Sequence, residues 1–261
     1  MFGDAAAYER FMGRWSERLA PVFLDATGAR DPSEVLDVGC GTGNLTRAAA
    51  QRWPSARVTG VDPSAAFVGA ARERSPASAV RFELGDAQGL PLPDGAVDAS
   101  FACLVLNFVP DSARAVAEMR RVTRPGGIVA ACVWDYGGGM GMLRELWDAA
   151  ASLHLDAGDL DERRMPLGQR HALARLLGDA GLEVVTDGEV VVKARFSSFD
   201  DYWDPFLGGQ GSGGRFVTSL PEASRARLRD ELHRRLGNSA FELPLRAWVA
   251  AAAVPASDAV T

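Results

Sequence analysis

An α/β fold with helices on both faces of a mostly parallel sheet is what this sequence predicts. Three observations lead there. Short β-branched runs alternate with amphipathic segments through the middle of the chain, as in βαβ units. A glycine turn follows the first apolar run, and an acidic residue closes the second.

Taken in order, Val35 to Val38 reads as the first strand and Asn44 to Arg52 as a helix, with Leu45, Ala48 and Ala49 at helical spacing. Arg57 to Val61 forms the second strand, and Pro63 and Ser64 open a helix running to about Arg74. Val80 to Leu84, Val97 to Ala102 and Ile128 to Trp134 supply strands three to five. A helix from Ser112 to Val122 lies between the last two, stopped by Pro125-Gly126-Gly127. Past Gly137-Gly138-Gly139, helices are expected over Met140 to Leu155 and Gln169 to Ala180, with Gly181 as a C-terminal cap. Val184 to Phe196 reads as strand six and Phe241 to Val254 as the last strand. The insert 197–240 between them, with Phe199 to Leu207, the glycine-rich stretch Gly208 to Gly214 and a charged helix from Pro221 to Leu236, reads as a small helical cap, the glycines its hinge. Residues 1–254 make one domain with an N-terminal helical segment over 1–30, and 255–261 is expected to be a flexible tail.

The chain has 261 residues, 47% of them hydrophobic, enough for one sizeable core. A net charge of -6 argues against a surface that tracks nucleic-acid phosphates or anionic lipid. Cys40, Cys103 and Cys132 are odd in number and far apart, which fits reduced thiols in a cytoplasmic protein. The first ten residues lack the pattern of a secretory signal, and no apolar run approaches the ~20 residues of a membrane span. His154, His171 and His233 fall on expected helices without metal-ligand spacing, so no metal is expected.

The sharpest local signal is Val35-Leu36-Asp37-Val38-Gly39-Cys40-Gly41-Thr42-Gly43, an apolar strand running into a turn that opens a helix. Glycines there let backbone approach a ligand closely. A dinucleotide fingerprint needs its third glycine one place later, where this chain has Asn44. Asp37 would also crowd a pyrophosphate, whereas it suits an ammonium group. Asp62, nineteen residues past Gly43, stands where a carboxylate accepts from both hydroxyls of a ribose. Gly85-Asp86-Ala87 follows strand three as a polar turn able to meet an adenine amine, and Leu104-Val105-Leu106 offers an apolar wall. Cys40 reads as a small buried residue, since no histidine is near it in sequence.

These segments, with VTGVDPS from Val58 to Ser64, GDAQGLPLPDGAVDASFACLVLNFVPD from Gly85 to Asp111 and RPGG from Arg124 to Gly127, resemble class I S-adenosylmethionine (SAM)-dependent methyltransferases of the type 11 branch, which includes ubiquinone- and menaquinone-biosynthesis C-methyltransferases. The resemblance implies a Rossmann-like, seven-stranded sheet with an antiparallel last strand, SAM as cofactor and S-adenosylhomocysteine (SAH) as product. It implies that Gly39, Cys40, Gly41 and Gly43 meet the amino-acid part of SAM, with Asp37 near its amino group. Asp62, Pro63 and Ser64 would hold the ribose side, and Asp86, Ala87, Gln88 and Leu104 the adenine. Tyr8 and Arg14, on a helix that folds over the cofactor in similar enzymes, would also reach it. Where the family often has a histidine pair, this chain has Asn107-Phe108.

Methyl transfer from a sulfonium is an in-line displacement, so alignment and water exclusion matter most, with a base needed only for some acceptors. Candidate catalytic residues just past strand ends are Asn107, Asp135 and Tyr136, either of the last two as base. Phe108 and Trp134 at the same rim, and Tyr202, Trp203 and Phe206 from the insert, are candidates for an apolar small-molecule acceptor pocket. Competing readings are an NAD(P)-dependent oxidoreductase, disfavoured by Asn44 and Asp37, a methyltransferase acting on RNA or protein, disfavoured by the acidic balance, and a SAM-binding protein without catalysis. The acceptor and the oligomeric state stay open.

Overall fold

The computed structural model describes residues 5–75 and 80–256. Met1 to Asp4 of the expected N-terminal segment and residues 257–261 of the expected tail lie outside the described residues. Seven strands form one sheet: β1 (Glu34–Val38), β2 (Arg57–Asp62), β3 (Val80–Leu84), β4 (Val97–Cys103), β5 (Thr123–Trp134), β6 (Glu183–Phe196) and β7 (Phe241–Ala253). Their spatial order is β3-β2-β1-β4-β5-β7-β6. β7 runs antiparallel to both neighbours, and the pairs among β1 to β5 are all parallel. The chain order reverses between β1 and β4, and in an open α/β sheet ligands bind beyond the strand ends at such a point.

The helices are α1 (Ala5–Tyr8), α2 (Arg14–Ala26), α3 (Asn44–Arg52), α4 (Ala65–Glu73), α5 (Ser112–Val122), α6 (Gly141–Ser152), α7 (Ala172–Asp179), α8 (Phe199–Leu207), α9 (Gly211–Ser219) and α10 (Glu222–Leu236). A π-helical turn, Glu9–Gly13, joins α1 to α2. α4 starts where expected because the Ser64 side chain accepts from the Phe67 amide, and α5 because Asp111 accepts from that of Arg114. β5 begins five residues before the expected Ile128. Thr123 pairs with Val97 and Ile128 with Ala99, so Arg124 to Gly127 bulge out of the ladder, with Gly126 at φ 75.

Two apolar cores cover the two faces. One joins the sheet to α2, α6 and the helices between β6 and β7, through Trp15, Phe23, Leu146 and Phe216. The other packs α5 and α7 against Val129, Val133 and Ala250. The glycine-rich stretch expected as a hinge is instead the start of α9. A Cβ on Gly213 would lie 3.0 Å from Leu143 and Leu146 and 3.1 Å from Phe206, so these glycines permit close helix packing. The expected helical histidines also differ: His154 ends a turn at φ 56, and His171 precedes α7 at φ 65, ring-bonded to Asp187 at 2.6 Å. His233, on α10, meets Phe199 edge-on.

Candidate functional site

β1 is buried and apolar, and the chain leaves it through a turn only glycine accepts easily: Gly39, Gly41 and Gly43 have φ of 69, 53 and 84. The Gly39 and Cys40 amides donate to Val61 O at 2.7 and 3.0 Å, clamping the turn to the end of β2. Gly39 lies so close to Val105 that any Cβ would collide with it, whereas at Gly41 the missing Cβ faces open space. Gly43 caps α3 against Phe82 and lines neither the cavity over the strand ends nor the small space behind the turn.

Asp62 closes β2, 7% exposed, and its two oxygens accept from the Gly41 amide and the Ser64 amide, each at 2.9 Å. One carboxylate therefore ties the glycine turn to the start of α4. Burial holds its pKa above the ordinary value, against the pull of those two amides.

A cavity of about 320 Å³ opens over the strand ends. Gly39, Gly41, Asp62, Pro63, Ser64 and Phe67 form one end of its wall. Leu104 and Phe108, past β4, with Trp134 at the end of β5 and Tyr136 beyond it, form the other, while Val105 lies against Gly39 and Tyr8, Met12 and Cys103 complete the lining. Behind the glycine turn lies a smaller space of about 40 Å³ lined by Asp37, Cys40, Thr42 and Asn44, which shares Tyr8, Gly39, Gly41 and Cys103 with the larger one. Asp37 is 1% exposed and accepts from the Thr46 hydroxyl at 2.6 Å. Burial pushes its pKa up to about 7.

The helix over the cavity is held from below. Glu9 accepts from the Thr42 hydroxyl in the glycine turn and pairs with Arg74 at 2.6 Å. π turns inside helices recur at functional sites, and this one brings Tyr8 and Met12 onto the cavity wall. Burial moves the Tyr8 hydroxyl up to about 12, a hydrogen bond with Ser16 opposing it.

Several expected residues stand elsewhere. Arg14 turns away, held by Asp201 at 2.6 Å and lying 4.2 Å over the Trp15 ring. Asp86 is exposed and accepts from the Gln88 amide, Ala87 is buried in the core under α5, and Gln88 accepts from the Asp111 amide; none lines the cavity. Asp135 is 4% exposed and bound by Arg246 Nη2 at 2.6 Å and Nε at 2.8 Å, with the Gly138 amide on its other oxygen. It is an ion-paired brace, not a free base. Asn107 sits in a single 3-10 turn off the cavity wall, its Oδ1 buried without a partner.

The insert aromatics are core. Tyr202 is fully buried and donates to Met142 O at 2.8 Å, Trp203 stacks on Phe199, and Phe206 meets Phe11 edge-on at 5.2 Å. Their stripe docks the insert onto the helix that carries Tyr8 and Met12. Tyr136 does line the cavity, yet desolvation lifts its hydroxyl well above the usual range, with the charges of Glu162 and Tyr8 adding to the effect. That shift favours the neutral hydroxyl over the phenolate. The sequence reading missed Met12, Phe67 and Cys103 as wall residues. Phe67, three residues past the Ser64 cap and 5.6 Å from the Tyr8 ring, was legible from helical spacing alone.

Among the described residues no group of His, Cys, Asp and Glu side chains is placed to hold a metal. No helix among them is long and apolar enough to cross a membrane.

Residues 36–131 match the family described as a methyltransferase domain. The chain is 40% identical over 228 residues, 81% of its length, to an uncharacterized 37.1 kDa protein in transposon TN4556 of Streptomyces fradiae. It is 39% identical over 149 residues, 57% of its length, to the malonyl-[acyl-carrier protein] O-methyltransferase of Serratia marcescens. It spans 61% and 52% of these relatives. Among solved structures, the [4+2]-cyclase SpnF superposes with a TM-score of 0.57 at 24% identity, over 92% of this chain and 82% of that one, a likeness of fold. The glycine turn and Asp62 both lie within residues 36–131, the stretch that matches the methyltransferase domain, and the sheet order agrees with the fold of the solved structure.

Proposed function

We propose that the protein binds SAM along the strand ends and transfers its methyl group to a small-molecule acceptor. The observation that carries this is Asp62, buried, fixed by the Gly41 and Ser64 amides, and facing a cavity beside a glycine whose absent Cβ leaves room.

The residues present fit the cofactor. Gly39 and Gly41 expose backbone to the cavity, as close approach by an amino-acid chain requires. Asp62 uses one lone pair on each oxygen for an amide and keeps others for a ribose diol. Phe67 offers a flat apolar surface to a base, taking the part assigned to Asp86, Ala87, Gln88 and Leu104. Asp37, behind the turn, answers an ammonium group, and its raised pKa makes it release a proton when a cation arrives.

When bound, SAM supplies a methyl group already activated on a sulfonium. The protein's part is then positional. Tyr8 and Met12 cover the cavity, Leu104, Phe108 and Trp134 keep water from its far end, and Tyr136 holds a neutral hydroxyl there. The acceptor's nucleophilic atom is O, N or C.

Calorimetry with SAM, SAH and NAD(H) tests this. Micromolar binding of the two sulfur compounds and none of the nucleotide is expected. Asp62→Ala should weaken SAM by at least ~2 kcal/mol, about thirtyfold, the size of one lost charge-assisted hydrogen bond. Unchanged affinity would remove Asp62 from the ribose, and preference for NAD(H) would return the site to the oxidoreductases.

A further inference from the structure

The cavity wall is unusual in its charge. Of its lining residues a single one, Asp62, is acidic, and none is arginine, lysine or histidine. Asp62 belongs to β2, whereas Trp134 ends β5 and Tyr136 follows it, and β1 and β4 stand between. At ~4.8 Å per strand the two ends lie about 14 Å apart, so no charged side chain lines the β5 end, and the acid near enough to act on Tyr136 is Glu162, whose charge would oppose an anion.

Cations do lie around that end, but each is committed. Arg14, two residues from Met12, is held by Asp201 at 2.6 Å. Arg246, whose backbone carbonyl accepts from the Asp135 amide, is held by the Asp135 carboxylate at 2.6 Å with Glu189 at 3.6 Å. The donors that the wall offers there are the Tyr136 hydroxyl and the Trp134 indole N–H, the latter buried without a partner. Both are neutral at physiological pH and can meet an oxygen. A carboxylate or phosphate here would lose its water and gain no counter-ion. A neutral hydroxyl or carbonyl on an apolar frame loses little and is met by a donor.

We infer that the β5 end, between Trp134, Phe108, Leu104 and Tyr136, takes an uncharged, largely apolar acceptor whose oxygen is met by the Tyr136 hydroxyl, and that it turns away carboxylates and phosphates. The inference rests on reading the site as a methyltransferase, with the methyl donor at the Asp62 end.

The test uses the intact chain and Nile red, a neutral apolar dye, with SAH binding followed by calorimetry in the same preparation. With and without saturating SAH, the dye is displaced by 2-naphthalenemethanol or by 2-naphthoate, which share one ring system. The alcohol is expected to compete at about tenfold lower concentration than the carboxylate. Tyr136→Phe should weaken the alcohol about fivefold while the dye binds as before. Phe108→Arg, at the half-exposed rim, should bring the carboxylate to parity. Equal competition by both on the unaltered protein, or displacement by neither, overturns the inference. Absence of SAH binding overturns the methyltransferase reading instead, and the dye competition then still reports on the wall.

Discussion

Glu162 shows how a single buried group sets a pH response. It is 8% exposed, its Oε2 accepts from the Trp147 indole at 3.2 Å, and burial raises its pKa from an ordinary 4.5 to about 7. Between those values the folded protein holds a proton that the unfolded chain has released, so stability falls as pH rises through the window and stays low above it. Asp37, raised from 3.8 to about 7 by the same cause, acts with the same sign. Glu162→Gln keeps the shape without the charge. It should raise unfolding free energy at pH 8 by ~2 kcal/mol and leave pH 5 nearly unchanged, as read by urea denaturation, with a residual slope from Asp37. Identical pH slopes in the two proteins would show that Glu162 is not charged against a penalty. Local sequence made the glycine turn and Asp62 readable, because strand, turn and acid are contiguous or at fixed spacing. It left Glu162 silent, since its surroundings come from α6 and α9. Asp135 and Tyr136 are adjacent in sequence, yet one is captured by an arginine 111 positions away and the other faces the cavity.

At the scale of elements, α9 is the informative disagreement. Its opening Gly211-Ser212-Gly213-Gly214 has poor helix propensity, which favours a loop when read in isolation. Packing against α8 and α6 overrides that preference, because only glycine lets the helix come so close. Gly213→Leu should therefore overpack the contact with Leu143, Leu146 and Phe206 and cost about 1–3 kcal/mol in denaturant unfolding. A variant as stable as the parent would restore the hinge. Apart from the start of β5, the strands and α3, α4 and α5 were legible nearly to the residue, since caps and apolar periodicity agree there. The π turn at Glu9–Gly13 was not, because one inserted residue leaves the apolar stripe Phe11, Trp15, Leu19 intact. Its effect is seen only in where Tyr8 and Met12 end up.

For the whole molecule, the cavity joins both cores. Its walls come from the helix lying on one core and from the ends of β1, β2, β4 and β5, which lie between the two. A ligand there should stabilise the fold as a unit. SAH at one hundred times its dissociation constant should add about 2.7 kcal/mol and raise the melting temperature by about 5 °C in a single transition, measured by calorimetric scanning. Two transitions, with only one shifted, would mean that the helices between β6 and β7 unfold apart from the sheet. The parallel half of the sheet was readable from alternating strands and helices. The placement of β7 was not derivable from local pattern, since nothing within Phe241 to Ala253 names its two neighbours.

That placement governs how the chain is made. β5 and β6 never pair with each other: each is bonded to β7, by a ladder running from Ile128 to Trp134 on one side and from Glu183 to Phe196 on the other. Until Phe241 to Ala253 leave the ribosome, both of those ladders are open. A growing chain therefore carries the unpaired edge of β5 from Trp134, and that of β6 from Phe196, until β7 is inserted between two strands that already exist. A nascent chain halted before Phe241 would present those edges to its neighbours and seed aggregates, so this protein's yield in the cell depends on uninterrupted elongation over its last stretch of sheet.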